Sequence, residues 1–166
     1  MRGARVPEAM AERPIEILLV EDNPADAHLT LTALLDARRA YQVHLVADGE
    51  QALAFLKREG DHVNAPRPDL VFLDLNLPKV DGYEVLDAMK ADPVLRGIPV
   101  VVISGSSREI DIARAYDGQI SAYLVKPPGF EEYFAAIRSL KEVWFHLAAL
   151  PARHEGSLSS LPLTPI

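Results

Sequence analysis

The sequence predicts a doubly wound α/β sandwich, one parallel sheet covered by helices on both faces. Three observations carry this expectation. Five short aliphatic or β-branched runs alternate with five helical stretches between residues 15 and 150, the order that parallel strands joined by helical crossovers require. The run Leu70-Val71-Phe72-Leu73 is apolar at successive rather than alternate positions, as in a strand buried on both faces. Several of the runs also stop abruptly at an acid, a hydroxyl or a lysine, and in such sheets ligands sit at the carboxyl ends of the strands.

Taken in order, Met1 to Pro14 mixes charge, Gly and Pro without periodicity and reads as a flexible leader, 1–14. Ile15 to Val20 is the first strand and runs into Glu21-Asp22-Asn23-Pro24. Asn23 suits an N-cap, Pro24 the first helical position, and Asp26 puts negative charge into the first turn. That helix is expected to reach about Ala37, with Leu31, Leu34 and Leu35 inward. Tyr41 to Val46 alternates like a strand, and Asp48-Gly49-Glu50-Gln51 has the form of a capping box opening a helix with Ala52, Leu53, Phe55 and Leu56 inward. Gly60 to Pro68 is a polar loop before the central strand; Asp81-Gly82 then turns into a helix bearing Val85, Leu86 and Met89, ended by Asp92-Pro93.

Pro99 to Ile103 is a β-branched strand that ends at Ser104-Gly105-Ser106-Ser107. A weak helix over 108–116 follows, held by Ile110 and Ala113. Ala122 to Val125 is the fifth strand and stops at Lys126-Pro127-Pro128-Gly129, after which a helix can run from Phe130 to Leu150. Residues 151–166, rich in Ser, Pro and Leu, read as a tail.

Composition narrows the functional classes. With 24 acids against 17 bases the net charge is −7 and no Lys/Arg cluster stands out, so nucleic acid is a disfavoured partner and cations a favoured one. There is no cysteine, hence no disulfide and no thiolate metal site, and a cytoplasmic location is allowed. No apolar run approaches the ~20 residues of a membrane span, and the first residues lack the apolar centre of a secretion signal.

At the strand ends the sequence places Glu21 and Asp22, Asp74, Ser104 and Lys126. Each has an ordinary structural use: charge at a helix start, a cap on a turn, a hydroxyl satisfying backbone, a solvated lysine before a rigid proline. Together they suit one chemistry. Three clustered carboxylates repel unless a cation joins them, and Mg²⁺ takes one or two carboxylates while leaving room for phosphate oxygens. Asp74 could then act as a nucleophile toward phosphorus, with Mg²⁺ and the Lys126 ammonium neutralising the equatorial oxygens. The five histidines, His28, His44, His62, His146 and His154, are scattered and read as surface or packing residues.

Glu21-Asp22-Asn23-Pro24, Asp74-Leu75-Asn76-Leu77-Pro78 with Asp81-Gly82, Ser104-Gly105, and Tyr123 with Lys126-Pro127 resemble the receiver domain of two-component response regulators in order and spacing. The resemblance covers about residues 15–150 and implies a flavodoxin-like (βα)5 sandwich with strand order 2-1-3-4-5. It implies Asp74 as phosphoacceptor and Mg²⁺ touched by Asp22, Asp74 and the main-chain carbonyl of Asn76, with Glu21 acting indirectly. Ser104 would be the hydroxyl switch, Tyr123 the rotating aromatic and Lys126 the phosphoryl partner, with a cis bond before Pro127. Further likeness in Leu18 to Asp26, Arg67 to Pro78, Lys90-Ala91-Asp92-Pro93 and Trp144-Phe145 points to the stand-alone regulators that accompany bacterial phytochrome histidine kinases.

The resulting expectation is a response regulator that takes a phosphoryl group on Asp74 from a sensor histidine kinase, signals to a downstream phosphotransfer or effector protein, and catalyses only its own phosphorylation and dephosphorylation. Two rivals stand beside it. A pseudo-receiver that is never phosphorylated would typically lack one of Asp74, Ser104, Lys126 or the acid pair; a phosphatase with an aspartate nucleophile usually has a second acid two residues on, where this chain has Asn76. Finally, a helix from Phe130 to Leu150 would span roughly 30 Å at ~1.5 Å per residue. That is longer than its own sheet requires, and Tyr133, Ile137, Leu140, Trp144 and Leu147 form a seam suited to a homodimer.

Overall fold

Alternate residues of each strand point to opposite faces of one five-stranded sheet, and each face has its own helical cover. In the computed structural model, which describes residues 13–36 and 38–151, the strands are β1 (Ile15–Val20), β2 (Tyr41–Val46), β3 (Leu70–Leu73), β4 (Val100–Ser104) and β5 (Ala122–Val125). All neighbours are parallel, in the order β2-β1-β3-β4-β5. The helices are α1 (Pro24–Ala33), α2 (Gly49–Lys57), α3 (Gly82–Ala91), α4 (Glu109–Asp117) and α5 (Phe130–Glu142). A flavodoxin-like doubly wound sandwich is therefore the observed architecture, as the sequence predicts.

The two-residue period of the strands divides the core. Leu18, Val20, Val71, Leu73, Val100 and Val102 pack under Ala52, Phe55, Leu56, Val85, Leu86, Met89 and Ala115 of α2, α3 and α4. The interleaved Ile17, Leu19, Leu70, Phe72, Val101 and Ile103 pack under Leu29, Ala33, Tyr133 and Ile137 of α1 and α5. This is why the central strand is apolar at every position: Leu70, Val71, Phe72 and Leu73 are all fully buried. Emptying one such position, as in Phe72→Ala, would cost about 3–5 kcal/mol. Register puts the chemistry on one edge, since Val20 pairs with Val46 and Leu73, and Leu73 with Val102. The residues that follow Val20 and Leu73 leave the sheet side by side.

Local signals behave as capping chemistry dictates. Asn23 Oδ1 accepts the N–H groups of Ala25 and Asp26 at 2.9 and 3.1 Å, and Asp81 with Glu84 makes a complete capping box at the start of α3. At α2 only half of the expected box forms. Asp48 accepts from Gln51 N–H at 2.8 Å, while the Gln51 side chain turns to His62 instead.

Four expectations are corrected. Helix α1 ends at Ala33, not near Ala37, and Leu35 is exposed; its carbonyl is instead capped by Lys141 Nζ at 3.1 Å. On α4, Ile110 and Ala113 face solvent while Ala115 is buried. That helix turns inward the stripe that includes Asp111, because Ser106 and Tyr83 hydrogen-bond its carboxylate, a choice no apolar pattern can register. Peptide bonds among the described residues are trans, the one before Pro127 included, which is the lower-energy state of most X–Pro bonds.

The fourth correction concerns the last helix. It does not run straight to Leu150, because α5 gives way at Val143 to a wider π-turn (Val143–Leu147) closed by Ala148 N–H on the Val143 carbonyl at 2.7 Å. The extra residue in that turn rotates the register, so that Phe145 enters the core and its ring meets Tyr41 at 5.1 Å. The proposed seam is thereby broken up: Tyr133 and Ile137 are buried in their own domain, Leu140 and Trp144 lean on the same core, and Leu147 alone is 80% exposed. The expected leader (1–14) and tail (151–166) lie almost wholly outside the described residues.

Candidate functional site

Three strand exits and one helix start meet at the carboxyl edge. Asp74 N–H bonds to the Val20 carbonyl at 3.0 Å, and Lys126 N–H to the Ser104 carbonyl at 2.7 Å, so backbone ladders aim these side chains before any charge acts. The Lys126 ammonium then lies 2.7 Å from Glu21 Oε2, 3.1 Å from Asp74 Oδ2 and 3.1 Å from Asp26 Oδ2. The remaining oxygens are tied back locally. Glu21 Oε1 accepts from Asn23 N–H and Asp74 Oδ1 from Asn76 N–H, both at 3.0 Å.

Glu21 and Asp74 are buried, whereas Asp22 is exposed at the rim. One carboxylate oxygen from each of these three lies within 4.8 Å of the others. That all-oxygen donor set, open to water on the Asp22 side, fits a hard divalent cation that keeps several waters. The electrostatics agree: burial and then the nearby Asp74 charge push Glu21 up to about 7, even against the Lys126 and Asn23 hydrogen bonds. Burial works against charge on Lys126 as well, yet the hydrogen bond to Glu21 and the Asp74 charge hold the ammonium well above the usual lysine range. The pocket has more negative charge than its lysine can balance.

Ser104 is buried on the same edge, but its Oγ accepts from Ser106 N–H at 3.2 Å rather than meeting Asp74. Tyr123 is half-buried, and its hydroxyl donates to the Ser106 carbonyl at 2.8 Å. The loop after β4 is held again by Ser106 Oγ on Asp111 Oδ2 at 2.5 Å, beside Tyr83 with Arg114 over its ring at 3.8 Å.

Glu21, Asp22, Asp74 and Lys126 are thus brought together, with Ser104 and Tyr123 one step away. The sequence reading missed Asp26, which it used only as helix-start charge. Nothing local announces that a residue of the first turn of α1 will reach a lysine 100 positions on. It also missed the Asp36 cluster, where His146 Nε2 lies 2.7 Å and Lys141 Nζ 3.8 Å from Asp36 Oδ2.

A doubly wound sheet that gathers acids and one lysine at the exits of β1, β3 and β5 has the architecture of a signalling receiver domain. The chain belongs to the response regulator receiver domain family, whose sequence profile matches residues 17–138. It is 40% identical over 139 residues to the response regulator Rcp1 of Synechocystis sp., covering 84% of this chain and 95% of that one. It resembles the crystal structure of the phosphorylated cyanobacterial phytochrome response regulator RcpA with a TM-score of 0.82 and 44% identity, over 84% of this chain and all of that one. The Mn²⁺-bound structure of Rcp1 matches with a TM-score of 0.81 and 40% identity, over 84% and 100% of the two chains. No helix among the described residues is long and apolar enough to cross a membrane.

Proposed function

We propose that this receiver domain is phosphorylated on Asp74 by a sensor histidine kinase of the phytochrome type and signals by changing its protein partners. The observation that carries this is the Asp74 carboxylate itself: buried at a strand exit, hydrogen-bonded to Lys126 and flanked by Glu21 and Asp22. In the transfer an Asp74 oxygen forms the O–P bond while the P–N bond of the kinase phosphohistidine breaks. The electron pair stays on the imidazole nitrogen, which takes a proton from solvent. Lys126 faces the charge that develops on the phosphoryl oxygens, and the Asn76 N–H keeps the second Asp74 oxygen aligned.

Mg²⁺ is the cation we assign to the pocket, held by Asp22, Asp74 and the Asn76 main-chain carbonyl with Glu21 behind them. When bound it supplies a positive centre that draws carboxylate and phosphoryl oxygens together. Water attack on the same phosphorus breaks the Asp74 O–P bond, releases inorganic phosphate and returns Asp74 to its carboxylate, so the catalysis we assign acts on the chain itself. Ser104 and Tyr123 act as the switch, the hydroxyl turning toward the phosphoryl group and the ring following, and a downstream phosphotransfer or effector protein reads the altered surface. The likeness to the cyanobacterial phytochrome response regulator RcpA supports the phytochrome branch. A cytoplasmic location follows from that pathway.

A homodimer remains part of this reading, now through the exposed side of α5 and the π-turn, where Val143 and Leu147 are exposed and Leu140 and Trp144 are half-buried. Light scattering over a dilution series tests it, Leu147→Glu being expected to leave monomers. The central test is incubation with acetyl phosphate followed by intact-mass measurement. One phosphoryl group per chain, dependent on Mg²⁺ and absent from Asp74→Asn, is expected; undiminished labelling of that variant would overturn the assignment.

A further inference from the structure

An ammonium group has three protons to donate, and in this protein Lys126 places them against three carboxylates from three separate segments: Glu21 after β1, Asp74 after β3 and Asp26 in the first turn of α1. The lysine is saturated. A phosphoryl group on Asp74 Oδ2 takes over the proton that this oxygen held, and Lys126 can meet a second phosphoryl oxygen only by giving up Glu21 or Asp26.

Glu21 and Asp26 differ in how readily they can be released. The Glu21 side chain is 3% exposed, so it would lose a hydrogen bond that water cannot easily replace. The Asp26 side chain is 35% exposed, and water can take the place of the lysine there at little cost. It also lies in the first turn of α1, whose positive end attracts a carboxylate whether or not Lys126 is bonded to it. The helix start is meanwhile held firmly: Asp26 N–H donates to Asn23 Oδ1 at 3.1 Å, and the Asp26 carbonyl accepts from Thr30 Oγ1, which is bonded to the Tyr133 hydroxyl at 2.8 Å. The backbone that carries Asp26 is therefore fixed, while its carboxylate is the most exposed of the three that Lys126 meets.

We propose that Asp26 is a positioning residue for Lys126, occupying one ammonium proton in the unmodified protein and surrendering it to a phosphoryl oxygen when Asp74 is modified, so that it opposes loading of the site. This rests on the reading of Asp74 as the phosphoacceptor. Two consequences separate it from a merely structural ion pair. Removing the Asp26 charge should make the site easier to load, where loss of a structural support would make it harder. It should also loosen Lys126 in the metal-free protein.

The test compares the full chain with Asp26→Asn, which keeps the shape and removes the charge, and with Asp26→Glu, which restores it. Fluorine NMR follows beryllofluoride, a phosphoryl mimic, titrated in the presence of Mg²⁺; nitrogen-15 NMR follows proton exchange of the Lys126 ammonium without metal. In Asp26→Asn the half-saturating beryllofluoride concentration is expected to fall about threefold, the scale of a part-exposed ion pair, and Lys126 exchange to quicken. Asp26→Glu should recover most of both changes. Half-saturation at or above the wild-type value in Asp26→Asn overturns the inference whatever the exchange rate. If the wild-type protein itself shows no bound signal, or Asp74→Asn binds as well, the phosphoacceptor reading fails and takes the inference with it.

Discussion

The Lys126 ammonium stands 3.1 Å from Asp74 Oδ2 across 52 residues of sequence, and it is the cation by which the buried carboxylates of this edge coexist. Lys126→Met would leave Glu21, Asp26 and Asp74 facing one another with no counter-charge. Removing one partner of a buried pair costs about 3–5 kcal/mol at most, and protonation of Glu21, which burial already favours, would reduce the loss. We expect the metal-free variant to melt several degrees below wild type. Because a bound cation stabilises the folded state by mass action, Mg²⁺ should raise the variant's melting temperature by more than it raises that of the wild type. Equal Mg²⁺ responses in a calorimetric comparison would show that Lys126 does not balance this pocket.

Gly49 opens α2 where a methyl group would stand 1.8 Å from the Val80 carbonyl oxygen. The loop between β3 and α3 thus lies backbone against backbone on the helix start, and Lys79, at φ 66°, reaches Asp48 at 3.5 Å from within it. Gly49→Ala should therefore push the loop outward and destabilise by about 1–3 kcal/mol. Gly105→Ala, where nothing lies within 4 Å of the added atom, should be close to neutral. Urea unfolding of the two variants gives the comparison.

The Tyr123 hydroxyl and the Ser104 Oγ both hold Ser106, one through its carbonyl and the other through its N–H. If Ser104 turns toward a phosphoryl group it must release Ser106, and the Tyr123 bond is then strained or lost. Beryllofluoride should change amide-exchange protection from Ser106 to Asp111 and along β5, and Tyr123→Phe should reduce the change along β5. Unaltered exchange in both segments would place the switch elsewhere.

Asp36 makes part of the stability pH-dependent. Its hydrogen bond from His146, then those from Arg38, hold its carboxyl well below the ordinary carboxylate range. The unfolded chain takes up that proton near pH 4, before the folded one does, so the contribution is present above about pH 4 and is lost as pH falls toward the folded value. His146→Gln should bring Asp36 back toward its ordinary behaviour. Denaturant unfolding at pH 3 and pH 6 should show a smaller acid loss in the variant than in the wild type.

Much of this protein was legible without coordinates because its signals are local. Strand β1 begins and ends where the aliphatic run does, and Asn23-Pro24 and Asp81-Gly82 announce helix starts through capping chemistry that depends on a few neighbouring residues. The unbroken apolarity of Leu70 to Leu73 reports burial on two faces, which only a sheet covered on both sides provides. From these follow the fold and the edge at which Glu21, Asp22, Asp74, Ser104 and Lys126 gather.

What tertiary structure decided are the matters in which partners distant in sequence compete. Whether Trp144 or Phe145 enters the core depends on a π-turn that lets Phe145 meet Tyr41 and His146 meet Asp36, and helical periodicity alone favours the wrong ring. Asp111 turns inward on α4 because Ser106 and Tyr83 wait for it. Asp26 belongs to the site only because α1 and the end of β5 converge on the same ammonium. Sequence by itself determined the sheet, its order of elements and the residues at its carboxyl edge, since strand burial and capping are properties of short segments; the choice of partner for each charge needed the folded chain, since an ion pair is set by distance in space.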